Sequence, residues 1–88
     1  MEIVNNQVKN CKIAYIGGGS KGWAWRLMAD LALENDLSGT ISLYDIDEDA
    51  AIKNAIIGNN LSKREEVLGK WDYTVSKSLE EALTNADF

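Results

Sequence analysis

Histidine is absent from this chain of 88 residues, cysteine occurs once, and basic residues are outnumbered by acidic ones, 9 to 14. Without histidine, the chain cannot build a Ser-His-Asp triad, a Cys-His pair or a histidine-based metal site from its own residues. The lone Cys11 excludes an intrachain disulfide and, at the start of a strand-like run, reads as a buried structural thiol. A net charge of −5 argues against nucleic acid or an anionic membrane as partner, since both need a basic surface. No apolar run approaches the roughly 20 residues that span a bilayer, and Met1 to Asn10 lacks the charged-then-apolar pattern of a signal peptide. A cytoplasmic location is the expectation.

What is present is ordinary in bulk and specific in detail. Hydrophobic content of 45% and charge of 26% suit a globular domain. At this length one small domain is the limit, burying roughly 60 to 65% of the surface its unfolded chain exposes. The specific part begins at Cys11-Lys12-Ile13-Ala14-Tyr15-Ile16, a short β-branched run that reads as a strand buried on both faces of a parallel sheet. Gly17-Gly18-Gly19-Ser20-Lys21-Gly22 follows directly. In that setting a G-x-G-x-x-G string reads as a dinucleotide-binding loop. Gly17 makes the tight turn, Gly19 lets the backbone approach a pyrophosphate, and Gly22 lets the first helix pack closely on its strand. Free N–H groups near Ser20 and Lys21, with the positive end of the helix dipole, then face the phosphates.

Ala24, Leu27, Met28 and Leu31 fall at i, i+3, i+4 and i+7, one apolar stripe facing a sheet. Trp23 and Trp25 flank that stripe without joining it. Asn35, Asp36, Ser38 and Gly39 end the helix, and Thr40 to Asp45 reads as a second strand. Asp45 lies 23 positions after Gly22, close to the roughly 20 expected of the acid that holds an adenosine ribose. Asp47, Glu48 and Asp49 follow with no cation before Lys53. A like-charge contact at about 4 Å costs roughly 4 kcal/mol at an effective dielectric near 20, so a 2′-phosphate is repelled and NAD is favoured over NADP.

Asp47 caps a second helix through about Leu61, with Ile52, Ala55, Ile56 and Asn59 expected on its inner side and Gly58 weakening its middle. Lys63 to Lys70 reads as a helix end plus loop with a solvated charge cluster. Trp71 to Ser76 has the β propensity of a third, peripheral strand, and Ser78 with Glu81 offers a capping box for a short helix carrying Leu79, Ala82 and Leu83. The expected fold class is α/β: a three-layer, Rossmann-like β-α-β-α-β-α half with right-handed crossovers and strand order 3-2-1. Residues 1–10 read as a polar N-terminal extension and 11–88 as the N-terminal part of an NAD-binding domain. Asn85 to Phe88 looks like the turn into a fourth strand beside the first, so the chain is expected to be a truncated portion of a longer polypeptide. If these residues fold alone, a bare edge on the first strand should be filled by another chain or be prone to association, and a homo-oligomer is expected.

With these motifs in place, Lys12-Ile13-Ala14-Tyr15-Ile16-Gly17-Gly18-Gly19-Ser20, Leu43-Tyr44-Asp45-Ile46-Asp47 and Leu79-Glu80-Glu81-Ala82-Leu83 with Ala86-Asp87-Phe88 resemble the amino-terminal region of the family 4 glycoside hydrolases, which depend on NAD and a divalent metal. Gly-Gly-Gly-Ser-Lys-Gly-Trp-Ala is most similar to the α-galacturonidase group, with α-galactosidases and 6-phospho-glycosidases more distant. The resemblance implies that Gly17, Gly19 and Ser20 hold the NAD pyrophosphate with Lys21 and Trp23 beside them, and that Asp45 holds the ribose. Gly22 departs from many members toward the general dehydrogenase pattern. The implied reaction on a small-molecule glycoside is oxidation at sugar C3, elimination across C2 and C1, addition of water and re-reduction, with a Mn²⁺-type ion as Lewis acid. The implied metal ligands, a Cys and a His, and the implied base, a Tyr, lie beyond residue 88. No catalytic or metal-binding residue is therefore expected here, and the fragment alone is expected to be inactive. Tyr15, Tyr44 and Tyr73 read as sheet or core residues. The residues alone also leave open an NAD-dependent dehydrogenase of a 2-hydroxy acid or sugar, or a non-catalytic nucleotide-binding module.

Overall fold

The computed structural model spans residues 1–88 and describes every side chain except those of Lys21 and Trp23. Its elements run β1 (Glu2–Val4), β2 (Gln7–Ile16), α1 (Lys21–Leu33), β3 (Leu37–Tyr44), α2 (Glu48–Ser62), β4 (Trp71–Val75) and α3 (Leu79–Leu83). They form a small α/β domain on one four-stranded mixed sheet in the order β1-β2-β3-β4. β1 is antiparallel to β2, and β2, β3 and β4 run parallel. The three strands expected from the sequence are β2, β3 and β4.

The polar start is not a bare extension. Residues 2–9 form a hairpin, turned by Asn5 and Asn6 with φ of 52° and 66°, as a two-residue turn with both central residues left-handed requires. Asn10, at φ 53°, marks the irregularity where β2 shifts register against β3 between Val8 and Cys11. The edge of β2 away from β3 meets β1 along Gln7–Lys9 and then Asp87 and Phe88, which bond to Lys12 and Ala14 backbone, where the sequence suggests a turn toward a fourth strand.

Register sorts the sheet into two unlike faces, because successive side chains alternate across it. Ile13, Ile41 and Tyr73 stand in one row and Tyr15, Leu43 and Val75 in the next, packed with Ala24, Met28 and Leu31 of α1 and Ala51 and Ala55 of α2. The opposite rows, Lys12-Thr40-Asp72 and Ala14-Ser42-Thr74, are small or polar, and the five-residue α3 packs against β2 and β3. There Lys12 Nζ donates to the carbonyls of Glu81 and Thr84, and the buried Ser42 and Ser76 hydroxyls share a bond of 2.6 Å. This asymmetry corrects the expectation that the first strand is buried on both faces. Cys11 is buried, Lys12 to Tyr15 are half-buried, and Ile16 is exposed.

The stripe of α1 is as expected, with Ala24, Met28 and Leu31 buried and Leu27 partly so. That of α2 is not. Its buried residues are Ala51, Asn54, Ala55 and Gly58, while Ile52 and Ile56 face outward. Gly58 lies so close to the Tyr73 ring that a Cβ would come within 2.6 Å, and Asn59 brackets the Tyr73 backbone, accepting from its N–H at 2.7 Å and donating to its carbonyl at 2.8 Å. Asp47 and Ser78 cap their helices as expected, accepting from Ala50 N–H and Glu81 N–H, but the Glu81 carboxylate accepts from Lys77 N–H at 3.4 Å and not from Ser78 N–H, so only half of the expected capping box is formed. In α3 only Ala82 is buried, and Leu79 and Leu83 are half-exposed.

Candidate functional site

The glycine segment leaves the end of β2 beside the end of β3, at the carboxyl edge of the parallel strands where open α/β sheets place their ligands. Gly17 takes φ 89°, a left-handed conformation that L side chains resist, and its N–H and that of Gly18 both donate to Tyr44 O. Ser20 N–H closes the turn onto Gly17 O at 3.0 Å, so it is committed to the loop rather than presented outward as the sequence suggests. α1 begins at the next residue and carries no acidic side chain in its first turn.

Asp45 stands opposite. One carboxylate oxygen accepts Gly19 N–H at 2.9 Å and the other accepts Asp47 N–H at 2.9 Å. These two charged bonds fix the rotamer of the side chain, and each oxygen keeps acceptor capacity for a hydroxyl donor. Gly19 is held close: a Cβ there would lie 2.8 Å from Ala50 Cβ and 3.0 Å from Asp45 Oδ2. The Gly19 backbone is thus packed against Ala50 and Asp45. The donor set suits a dinucleotide at Asp45, whose two oxygens can each accept a further ribose hydroxyl.

The other glycines divide differently from the sequence expectation. A Cβ on Gly22 would meet no heavy atom within 4 Å, so Gly22 is not the residue that lets helix and strand approach. Gly18 has the close contact instead, since a Cβ there would lie 2.7 Å from Leu43 Cβ. The side chains of Lys21 and Trp23 lie outside the described residues.

Sequence reasoning also missed Asn54. From α2, and only 3% exposed, its amide donates to Gly18 O at 2.7 Å and Ser20 O at 2.9 Å, while its oxygen accepts from Trp25 Nε1 at 2.9 Å. The signal was present as the i, i+3, i+4, i+7 row of Ala51, Asn54, Ala55 and Gly58, but the more hydrophobic isoleucines outweighed it. Beside this network lies a cleft of about 530 Å³ lined by Gly19, Trp25, Asp47, Asp49, Ala50, Lys53, Asn54 and Ile57.

The remaining chemistry-bearing groups are structural. Burial, with the charge of Asp87 adding to it, pushes the Cys11 thiol above its ordinary range. Burial alone pushes the Tyr73 phenol up to about 12. Among the described residues no group of three or more His, Cys, Asp or Glu side chains could hold a metal ion.

The model of family 4 glycosyl hydrolases matches residues 12–88. The chain belongs to that family. Over all 88 residues the family 4 chain is 56% identical to an α-galacturonidase of Lachnoclostridium phytofermentans and 58% identical to one of Thermoanaerobacterium saccharolyticum, spanning 19% of each. A solved structure of the glucosidase lplD from Bacillus subtilis superposes with a TM-score of 0.80 at 48% identity, covering 91% of this chain and 17% of that one. The chain thus spans about a fifth of the length of the curated relatives it matches.

Proposed function

We propose that residues 11–88 are the first half of a doubly wound NAD-binding domain, with parallel strands in the order 3-2-1, in an intact protein that is an α-galacturonidase. Family membership and the names of the relatives support the glycosidase reading over a plain dehydrogenase or a bare nucleotide-binding module. The observation that carries the cofactor assignment is Asp45, locked by Gly19 and Asp47 N–H groups with both oxygens still able to accept.

In this reading Asp45 orients the adenosine ribose by accepting its hydroxyls, and Gly17 and Gly19 shape the turn over which the pyrophosphate passes. The backbone at the start of α1 meets the phosphates with positive partial charge, with Ser20, Lys21, Gly22 and Trp23 at the same end of the helix. Asp47 and Asp49 place negative charge near the ribose, which disfavours a 2′-phosphate and selects NAD. NAD, when bound, supplies reversible hydride transfer at sugar C3, the oxidation that makes elimination across C2 and C1 possible. The divalent ion, Mn²⁺ in this reading, and the proton-transferring base belong to the rest of the polypeptide. The reading includes a small-molecule glycoside as substrate, a cytoplasmic homo-oligomer, and neither nucleic acid nor membrane as partner.

The test is aryl α-galacturonide hydrolysis by the intact protein with NAD⁺ and Mn²⁺, together with NAD binding by Asp45→Ala. Loss of the charged acceptor should weaken NAD by roughly ten- to a hundred-fold, at about 1.5–3 kcal/mol for bonds to a charged group, and narrow the NAD/NADP difference. Hydrolysis that survives cofactor removal and chelation, or unchanged binding by Asp45→Ala, refutes the assignment.

A further inference from the structure

We infer that Asn54 is a positioning residue for the cofactor loop: it sets the direction of two loop peptide groups, and through them the affinity for NAD. The inference rests on the NAD reading of the loop and adds a residue from a different helix. Asn54 is buried, and its amide donates to Gly18 O and Ser20 O. No peptide bond in the chain is cis, and in a trans peptide the N–H points opposite to the carbonyl of the same unit. Pinning the carbonyls of residues 18 and 20 toward α2 therefore turns the backbone N–H groups of residues 19 and 21 away from α2. For Gly19 that direction is occupied by Asp45 Oδ2 at 2.9 Å. For residue 21 it lies at the start of α1, where an anion is favoured.

Trp25 completes the device. Its indole N–H donates to Asn54 Oδ1 at 2.9 Å, which fixes which end of the amide faces the loop. A neutral side chain with two donors is needed at position 54. A carboxylate there would set negative charge against two carbonyl oxygens, and an apolar group would leave both without this partner.

The experiment uses the intact protein and measures NAD dissociation constants and steady-state kinetics for wild type, Asn54→Asp, Asn54→Leu and Trp25→Phe. The expected result is a loss of NAD affinity of tenfold or more in Asn54→Asp and Asn54→Leu, a smaller loss in Trp25→Phe, and kcat at saturating NAD within about twofold of wild type. Asn54→Asp should regain affinity as pH falls, because a protonated carboxyl can again donate to one carbonyl, whereas Asn54→Leu should not. Asp45 bonds to the same loop, and Asp47, Asp49 and Lys53 line the cleft beside position 54. All four are common to the variants, so the difference in pH profile isolates position 54. Unchanged NAD affinity in a folded Asn54→Asp protein overturns the inference alone, as does an equal loss in Asn54→Asp and Asn54→Leu at every pH. Wild-type protein that binds no NAD overturns the cofactor reading and this inference with it.

Discussion

α1 and α2 pack against one another and share the apolar face of the sheet, yet they attach to the domain by opposite means. α1 inserts apolar volume, with Met28 and Leu31 buried among Cys11, Ile41 and Leu43. α2 comes close and bonds: Ala51 and Ala55 are small, Gly58 presents no side chain to Tyr73, Asn59 brackets the β4 backbone, and Asn54 reaches the glycine loop. Its isoleucines face outward. A hydrophobic stripe is therefore a sound guide to a helix held by volume and a misleading one for a helix held by proximity.

The contrast is broken most severely through the volume side. Met28→Ala, at a fully buried position, should cost about 2–5 kcal/mol, read as a lowered denaturation midpoint. A loss below about 1 kcal/mol would show that α1 is not held by that volume. The proximity side carries a pH dependence at Tyr73, buried under α2. The folded phenol is pushed up to about 12 from an unfolded value of 10, so its contribution is whole below pH 10 and is lost as pH rises toward 12. Two pH units correspond to about 2.7 kcal/mol at most. Thermal melts of wild type should fall across that window more steeply than those of Tyr73→Phe, and parallel curves would show that the phenol titrates normally. The smallest effect belongs to the outer face of α2. Ile56→Ser, at a position 57% exposed, should change stability by no more than about 0.5 kcal/mol, and a larger loss in the intact protein would show that this face is covered.

Much of the candidate site was legible because its demands are local. Gly17 needs a left-handed φ, Asp45 directly follows a strand, Asp47 and Ser78 cap helices, and each demand leaves a particular residue type at a particular spacing. The hairpin at residues 2–9 was legible in principle from Asn5-Asn6, but its strands are short and polar, and a polar start reads more readily as an extension. Gly22 matched the motif by spacing, and the structure gives the close-packing role to Gly18, whose neighbour Leu43 lies on another strand.

The amino-acid sequence by itself determined the alternation of strands and helices, the turn at Gly17, the placing of Asp45 and the apolar stripe of α1, because periodicity, left-handed backbone and capping act within a few residues of one another. Tertiary structure alone decided that Asn54 holds the loop, that Gly58 meets Tyr73, that Gly18 rather than Gly22 is the close contact, and that α3 packs against β2 and β3. Each of those depends on which surfaces meet across 15 or more positions of chain. A donor pair on one helix finds two carbonyls on a distant loop only once the sheet has brought them within hydrogen-bond reach.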